Sequence, residues 1–314
     1  TQKELKKLDD AARAGWLYYV AGKTQDEIAQ NLNISRQSAQ RMVALAVSEG
    51  LIKVRLEHPI ARCMDLSSAL KAHYGLAECI VVPSTEGDTS TSVGLAQAGA
   101  SEIERHLKSV EPIVMAFGTG RALKACVDEL GYFSCEQHKI VALLGNVAED
   151  GSASAYNVVV QMAGRVNAKH YPMPLPVLPK SQAEKEHLHS LELVAKNLAL
   201  AGKADVTFVG IGNVGEDSPL VNDGFIAQSE GKELVDLGAV GEVIGWIFDK
   251  DGVILDCELN KRVASTRLNS DNGQLIYGIA AGKEKVSAID GAIESRLINC
   301  VITNEYTAEQ LLNK

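Results

Sequence analysis

The feature that most constrains the fold is an alternation of short apolar runs with longer helical stretches, which begins near residue 79 and continues towards the end of the chain. Apolar runs of about four to eight residues bounded by glycine or polar residues predict buried β-strands. Because strands and helices alternate, we expect an α/β fold with a mostly parallel sheet covered on both faces. The predicted strands are Cys79–Val82, Ile113–Phe117, Ile140–Leu144, Val206–Ile211, Val253–Cys257, Leu275–Ile279 and Cys300–Thr303. The predicted helices are 91–108, 119–130, 184–201, 283–295 and 307–313, with a linking helix at Ala61–Tyr74 before them.

The first 50 residues have a different pattern, typical of short helices joined by tight turns. The stretch Asp9–Ala21 has apolar residues at helical spacing, and Gly22 ends it. Thr24 and Glu27 have the spacing of a capping box, in which each residue satisfies the backbone amide of the other. A second helix is therefore predicted after Thr24. The apolar positions assigned to the first helix are Ala12, Trp16, Leu17, Tyr19 and Val20.

A third helix is predicted from Ser35, which caps it, to Ser48, followed by a short strand at 51–56. This order is typical of the helix-turn-helix domain, whose third helix enters the major groove of DNA. A small helical docking domain is the alternative. The positions predicted to point inward are Ala39, Met42, Val43 and Ala46. The candidate DNA-contacting residues, of types that bind phosphates and base edges, are Thr24, Gln25, Ser35, Arg36, Gln37, Ser38, Gln40 and Arg41.

The charge of the chain is distributed unevenly. The formal net charge is −9, which argues against a nucleic-acid surface over the whole protein. Residues 1–58, however, hold nine Lys and Arg against seven Asp and Glu. The excess of positive charge in this segment favours an anionic partner for it alone.

The remaining composition predicts a cytoplasmic protein. The six cysteines are scattered and form no CxxC pair, so we expect reduced, mostly buried thiols rather than a metal site. No apolar run approaches the roughly 18 residues that cross a bilayer, and no signal peptide is recognised. We therefore expect neither a membrane partner nor a bound metal.

Three glycine-rich turns follow predicted strands, the position at which parallel sheets bind ligands. Phe117–Arg121 also opens a helix, so its backbone amides form a candidate anion site to which Thr119 and Arg121 add donors. Leu144–Val147 and Val209–Asn213 follow later strands. A tight connection between strand and helix is the alternative for each turn alone. The spacing GxGxxG occurs at Gly210–Gly215, but no helix is predicted directly after it, so we do not interpret it as a dinucleotide-binding fingerprint. No Walker sequence is present, and no cofactor is expected.

Two further glycine-containing segments carry charged side chains. Gly282–Lys285 follows a predicted strand and opens a helix, so its lysines are candidate contacts for a phosphate. A solvated charged turn is the alternative. Gly238–Glu242 places a carboxylate after two glycines, where it can accept hydrogen bonds from sugar hydroxyls. Capping of a helix start by Glu242 is the alternative there.

A set of short segments along nearly the whole chain carries a family resemblance. These segments are Trp16–Tyr19, Thr24–Gln25, Glu27–Ala29, Ile34–Arg36, Gly50–Ile52, Asp205–Val206, Val209–Gly212, Gly238–Glu242, Gly245–Asp249, Ile298–Asn299, Ile302–Thr303 and Thr307–Ala308. In combination they resemble the SorC family of bacterial transcriptional regulators, also called the SorC/DeoR sugar-binding regulators. The combination is much more specific than any one segment.

The resemblance implies a helix-turn-helix domain at residues 1–57 and a Rossmann-like, mostly parallel α/β effector domain at 58–314, similar to sugar-phosphate isomerases and deaminases. Members of the family bind sugars, polyols or sugar phosphates, which change their affinity for operator DNA, and they usually assemble as dimers of dimers. The resemblance places the phosphate near the first turn and Lys285, and the sugar near Glu242. The implied effector-binding residues are Gly118, Thr119, Gly120, Arg121, Gly145, Asn146, Glu242 and Lys285.

Two departures from the family pattern concern the expected phosphate. The glycine pair of the second turn is here Gly145–Asn146, and the family's Ala-Gly-Gly is here Ala280–Gly282, which reads Ala-Ala-Gly. Both changes add side-chain bulk near the phosphate position. They count against a phosphorylated effector and leave room for a free sugar or polyol.

An isomerase or deaminase with a helical appendage is the alternative to a regulator. Such an enzyme needs a base beside its substrate, and ring-opening deaminases use a histidine beside the third turn. Here Asn213 follows Gly210–Gly212, and all seven histidines lie outside the glycine turns. Catalysis by Glu242 or Asp217 is the alternative that remains, and we predict a regulator without catalytic residues. Its expected partners are roughly palindromic operator DNA, a small-molecule effector and further copies of the chain, as a dimer or tetramer.

Overall fold

The computed structural model describes residues 2–52, 61–85, 92–147, 151 and 156–314. The chain forms two compact units, Thr1–His58 and Pro59–Lys314, which we call the head and the body. The predicted domain boundary after residue 57 and most of the predicted strand at 51–56 lie outside the described residues. Within the described residues, no helix is both long and apolar enough to span a membrane.

Among its described residues, the head contains three helices, α1 (Gln2–Tyr19), α2 (Gln25–Leu32) and α3 (Arg36–Ser48). The predicted capping box at the start of α2 is confirmed, because the Thr24 hydroxyl accepts from the Glu27 amide and the Glu27 carboxylate accepts from the Thr24 amide. The turn to α3 passes through Asn33, which has the left-handed conformation that asparagine tolerates well. The Ser35 hydroxyl then accepts from the Ser38 amide at 3.2 Å and caps α3.

The core of the head confirms the predicted face of α3 but corrects that of α1. Ala39, Val43 and Ala46 are buried, and Met42 is partly buried. In α1, Ala11 and Ala14 are fully buried and Leu17 packs on the core, whereas Trp16 and Tyr19 are exposed. Val20, which directly follows the helix, is also exposed. Small residues face inward because α1 and α3 approach closely: a Cβ on Gly15 would stand 2.8 Å from the Ala46 side chain.

The body is built from ten strands and eleven α-helices among its described residues. The strands are β1 (Glu78–Val82), β2 (Val114–Phe117), β3 (Lys139–Val147), β4 (Lys169–Pro176), β5 (Val206–Gly210), β6 (Gly212–Asn213), β7 (Ala239–Val243), β8 (Trp246–Asp249), β9 (Leu275–Ile279) and β10 (Cys300–Asn304). The helices are α4 (Ala61–Tyr74), α5 (Val93–Leu107), α6 (Arg121–Glu129), α7 (Val158–Val166), α8 (Gln182–Ser190), α9 (Glu192–Ala201), α10 (Pro219–Asn222), α11 (Gln228–Asp236), α12 (Glu258–Arg262), α13 (Val286–Glu294) and α14 (Glu305–Leu312). Short 3₁₀ helices lie at Ser270–Asn272 and Lys283–Lys285.

The predicted parallel sheet is confirmed. Seven parallel strands lie in the order β1-β10-β9-β5-β2-β3-β4, and β6, β7 and β8 form a separate antiparallel sheet. One face of the main sheet packs against α5, α6 and α7, and the other against α4, α9, α13 and α14. A row of rings crosses β2, β5 and β9, where Phe117, Phe208 and Tyr277 stack with centroids 5.4 and 5.0 Å apart.

Several predicted elements were wrong or missed. Residues Val253–Cys257 form no strand, apart from one isolated bridge at Ile254. The predicted helix 184–201 is two helices that meet at Leu191. The edge strand β4 was missed because it contains three prolines, which are tolerated at a sheet edge but mask the strand pattern. The β7–β8 hairpin was missed because its glycines were interpreted as a turn before a helix.

All six cysteines are buried free thiols, in agreement with the sequence. Among the described residues, no cluster of three or more His, Cys, Asp or Glu side chains is arranged to hold a metal ion.

The strand order positions the glycine-rich turns. β9, β5 and β2 are neighbours in the sheet, and all three run in the same direction. The turns after them therefore meet at one edge of the sheet, outside the carboxyl ends of the strands.

Candidate functional site

A cavity of about 440 Å³ opens at this edge of the sheet. Its volume lies within the range of small-molecule sites. The polar residues that line it are Thr119, Arg121, Asn213, Asp217, Asp223, Glu242, Glu284 and Lys285. The apolar lining includes Leu144, Leu178, Ile211, Leu220, Phe225, Ile226, Ile244, Leu259 and Val263.

The start of α6 forms one wall. Gly120 precedes the helix with φ 113° and ψ 173°, a conformation that is essentially restricted to glycine. It provides no side chain to cap the helix, and a Cβ there would meet no atom within 4 Å. Since the first amides of a helix have no partner within the helix, this wall presents donors to a ligand.

Arg121 is held beside this wall by groups of the chain itself. Its Nη2 atom donates to Asp223 Oδ1 at 2.9 Å, and its Nε atom donates to the Tyr156 hydroxyl at 3.1 Å. These contacts, of which the hydrogen bond with Tyr156 has the largest effect, raise the pKa of Arg121 above its ordinary value. The Thr119 hydroxyl donates to the Tyr156 carbonyl at 2.5 Å. The Thr119 hydroxyl and two of the three Arg121 nitrogen atoms are therefore already engaged within the chain.

Lys285 forms part of a second wall, at the end of the 3₁₀ turn that follows β9. The residue is only 8% exposed, and its Nζ atom donates to Asn213 Oδ1 at 2.8 Å. Burial lowers the pKa of Lys285, while the nearby Glu242 carboxylate opposes that shift. A buried ammonium with one amide partner retains donors for a ligand oxygen.

Glu242 lies on β7 and is directed at the sheet edge by its neighbours. Its Oε2 atom accepts from the Gly245 amide at 2.8 Å. A Cβ on Gly212 would stand 2.2 Å from Glu242 Oε1, so the carboxylate packs directly on the backbone of the third turn. Burial raises the pKa of Glu242, against the effects of the Gly245 hydrogen bond and the Lys285 charge.

The structure brings five of the predicted effector residues together. Thr119, Gly120, Arg121, Glu242 and Lys285 all line the cavity. The interpretation of Glu242 as a helix-start cap was wrong, because the residue lies in a strand.

Three predicted effector residues lie elsewhere. Gly118, Gly145 and Asn146 line a much smaller neighbouring cavity of about 20 Å³. The Gly118 amide already donates to the Phe208 carbonyl at 2.8 Å. The expected second turn is wrong, because β3 continues through Gly145 and Asn146. Glycine is required at 145 by the β3–β4 approach, since a Cβ there would stand 1.9 Å from the Leu175 carbonyl oxygen.

Sequence reasoning did not include four polar residues of the lining among the effector-binding residues. Asn213 and Glu284 lie within glycine-containing segments that the sequence singled out, and Asp217 was considered only as a catalytic carboxylate. Asp223 had no comparable signal. It reaches Arg121 across a separation of 102 residues, which only the folded chain reveals.

The candidate DNA-contacting residues surround the starts of α2 and α3. Arg36, Gln37, Gln40 and Arg41 are exposed on α3, and Ser38 is partly exposed. The hydroxyls of Thr24 and Ser35 serve as helix caps, and Gln25 is partly exposed. Arg36 Nη1 lies 3.5 Å from Asp26 Oδ2 on α2, an exposed pair that water screens.

Comparison with known proteins covers both units. Residues 58–313 match the family model described as "Putative sugar-binding domain". The chain is 31% identical over 304 residues to the erythritol catabolism regulatory protein EryD of Brucella abortus, which covers 97% of this chain and 96% of the relative. The chain belongs to the SorC family of bacterial transcriptional regulators.

Two more members support this placement. The chain is 29% identical to the transcriptional regulator LsrR of Enterobacter sp. (strain 638), over 99% of this chain and 94% of the relative. The full-length sorbitol operon regulator SorC from Klebsiella pneumoniae superposes with a TM-score of 0.68 at 26% identity, covering 98% of this chain and 99% of that one. These SorC-family members are named as regulators rather than enzymes, which contradicts the isomerase or deaminase alternative.

Proposed function

We propose that this chain is a DNA-binding regulator of a carbohydrate or polyol catabolic operon, and that a sugar, polyol or sugar phosphate changes its affinity for the operator. The head binds DNA, and the cavity of the body binds the effector. The observation that carries the proposal is the likeness to EryD over 97% of the chain, which includes head and body alike.

The proposed DNA contact is the start of α3. The exposed side chains of Arg36, Gln37, Gln40 and Arg41 are of the types that bind phosphates and base edges. We propose a homo-oligomer, dimer or tetramer, on a roughly palindromic operator. A two-fold dimer would present two copies of α3 about 34 Å apart, or a multiple of that distance.

The proposed effector site is the cavity at the start of α6. Hydroxyl groups both donate and accept, so they suit a lining that combines backbone amides, Lys285 and the Glu242 carboxylate. The named relatives EryD and SorC regulate erythritol catabolism and a sorbitol operon. By linkage, an effector that weakens DNA binding must itself bind the DNA-bound form more weakly.

The proposal is tested by fluorescence anisotropy with a labelled fragment from upstream of the operon that contains the gene. The fragment is titrated with and without tetritols, pentitols, hexitols, the corresponding sugars and their monophosphates. We expect tight binding that weakens as salt rises and that one class of compound shifts. No binding even at about 50 mM salt, where phosphate contacts are strongest, would overturn the proposal.

A further inference from the structure

The charges of the cavity discriminate between the effectors that the proposed function admits. We infer that the site takes an uncharged polyhydroxy compound, a polyol or free sugar, rather than its phosphate ester, and that Asp223 is the residue that determines this specificity. The inference rests on the proposed function, because it concerns the ligand of the same cavity.

The outer cation of the cavity already has an anionic partner. Asp223 Oδ1 lies 2.9 Å from Arg121 Nη2, and both residues line the cavity. A phosphate that binds Arg121 at the start of α6 would either displace this carboxylate or lie beside it, and in both cases two negative charges would be close together. Like charges in a partly desolvated site repel each other strongly.

The positive charge of Lys285, the more buried cation of the cavity, also has partners within the chain. Lys285 donates to Asn213 and lies near the Glu242 carboxylate, with which it interacts electrostatically. Charge is therefore already compensated at both walls before a ligand enters. Two further carboxylates, Asp217 and Glu284, lie on the exposed part of the lining. Among the described lining residues, carboxylates outnumber cations by four to two.

An uncharged polyol fits the same groups without this conflict. Its hydroxyls can donate to Asp223 Oδ2, which the Arg121 contact leaves open, and to Glu242, while accepting from Lys285. The first amides of α6 donate to a hydroxyl oxygen as well as to a phosphate oxygen, so they do not discriminate between the two. Discrimination therefore lies with the side chains, and Asp223 is the one that occupies the anion position at Arg121.

The test uses the full chain and two variants. Asp223→Asn keeps the shape of the side chain but removes the charge that competes for Arg121. Asp128→Asn is the matched control, because it breaks the ion pair with Lys124 on the same helix, outside the cavity. Titration calorimetry measures tetritols, pentitols, hexitols and free sugars against their monophosphates, with inorganic phosphate as a further probe.

We expect the unmodified chain to bind one polyol or sugar at least about tenfold more tightly than its monophosphate. Asp223→Asn should narrow that ratio at least about tenfold by gaining affinity for the monophosphate, whereas Asp128→Asn should preserve it. Tighter binding of the monophosphate by the unmodified chain would overturn the inference, as would an unchanged ratio in Asp223→Asn. Thermal unfolding of both variants checks that they remain folded.

The failure of the inference can be told from that of the proposed function. If DNA binding responds only to a monophosphate, the function stands and the inference is wrong. If no compound binds while DNA binding persists, the inference is wrong and only the DNA half of the function stands. If the chain does not bind its upstream fragment, the proposed function itself is wrong.

Discussion

The starts of α3 and α6 are both proposed to contact a ligand, yet they are built in opposite ways. At α3 the Ser35 hydroxyl occupies a free amide, and the ligand-facing side chains are exposed on the surface. At α6 the preceding residue is Gly120, which caps nothing and leaves the first amides open to a cavity. The capped start of α3 can therefore contact a ligand through its exposed side chains, whereas the uncapped start of α6 can contact a ligand through its backbone amides.

The difference matches the proposed ligands. DNA presents a large surface that long, solvated side chains of a protein can reach. Contacts with its phosphates supply a large share of a protein's affinity for DNA. A small effector needs a recessed site in which fixed donors approach from several directions. The proposed DNA contact thus relies on side chains beyond a capped helix end, and the proposed effector contact relies on the uncapped amides after Gly120.

The largest effect is expected for Gly120→Ala, which tests the role of the uncapped start of α6. A side chain at φ 113°, ψ 173° is strained, so we expect the body to lose about 1–3 kcal/mol of unfolding free energy. Because the backbone would leave this conformation, the amides at the start of α6 would be misdirected and the effector response lost. Chemical denaturation and effector-dependent anisotropy measure the two effects.

The matched control for Gly120→Ala is Gly164→Ala. Gly164 lies within α7, and a Cβ there would meet no atom within 4 Å. We expect unchanged or slightly higher stability, because alanine favours helix. A Gly120→Ala protein that is as stable and as responsive as this control would contradict the role of the open helix start.

The next effect is expected at the surface of α3. Arg41→Ala should weaken operator binding about tenfold, or about 1.4 kcal/mol, and leave effector affinity unchanged. The reason is that Arg41 is exposed on α3 and belongs only to the head. Arg13→Ala removes another exposed arginine, from α1, as a control. Equal losses in both variants would assign the effect to net charge rather than to the start of α3.

A smaller effect is expected for Glu242, the recessed carboxylate of the cavity. Burial raises the pKa of Glu242 above its ordinary value of 4.5, so folding favours the protonated form. The resulting contribution to the free energy of unfolding is complete below pH 4.5 and is lost as the pH rises through the raised pKa. The Glu242→Gln side chain is neutral at every pH. As the pH rises, the melting temperature of this variant should therefore increase by a few degrees relative to that of the unmodified chain.

The pH series needs a carboxylate of the same wall that remains in solvent. Glu284→Gln serves, because Glu284 is exposed at the cavity rim. Its melting temperature should follow that of the unmodified chain at every pH. A pH-independent difference between Glu242→Gln and the unmodified chain would contradict the proposed burial of that carboxylate.

The central strands were predictable because their sequences are continuous apolar runs. Val206–Gly210 is flanked on both sides by paired strands and covered on both faces, so its residues are almost all buried. The edge strand Lys169–Pro176 buries only Met173 and Leu175 and contains three prolines, so its sequence has no continuous apolar run. The break at Leu191 between two helices has no glycine or proline to mark it.

The same distinction holds for the candidate site. Thr119, Arg121 and Lys285 were predictable because each lies in a turn directly after a central strand. Asp223 was not, because it comes from the segment after α10 and meets Arg121 only through tertiary packing. Local pattern therefore identifies the sheet edge of the cavity, and long-range folding supplies the charge that faces it.

The smallest expected effect tests the closed helix end. Ser35→Ala removes the side-chain acceptor of the Ser38 amide, which should cost the head about 1 kcal/mol. Ser48→Ala is the matched control, since its hydroxyl only donates to the Leu45 carbonyl at the other end of α3. Hydrogen exchange of the peptide 24–48 in the full chain should accelerate about fivefold in the first variant and little in the second. Equal protection in both would mean that the cap at α3 contributes no more than any exposed hydroxyl. The contrast with α6 would then rest on Gly120 alone.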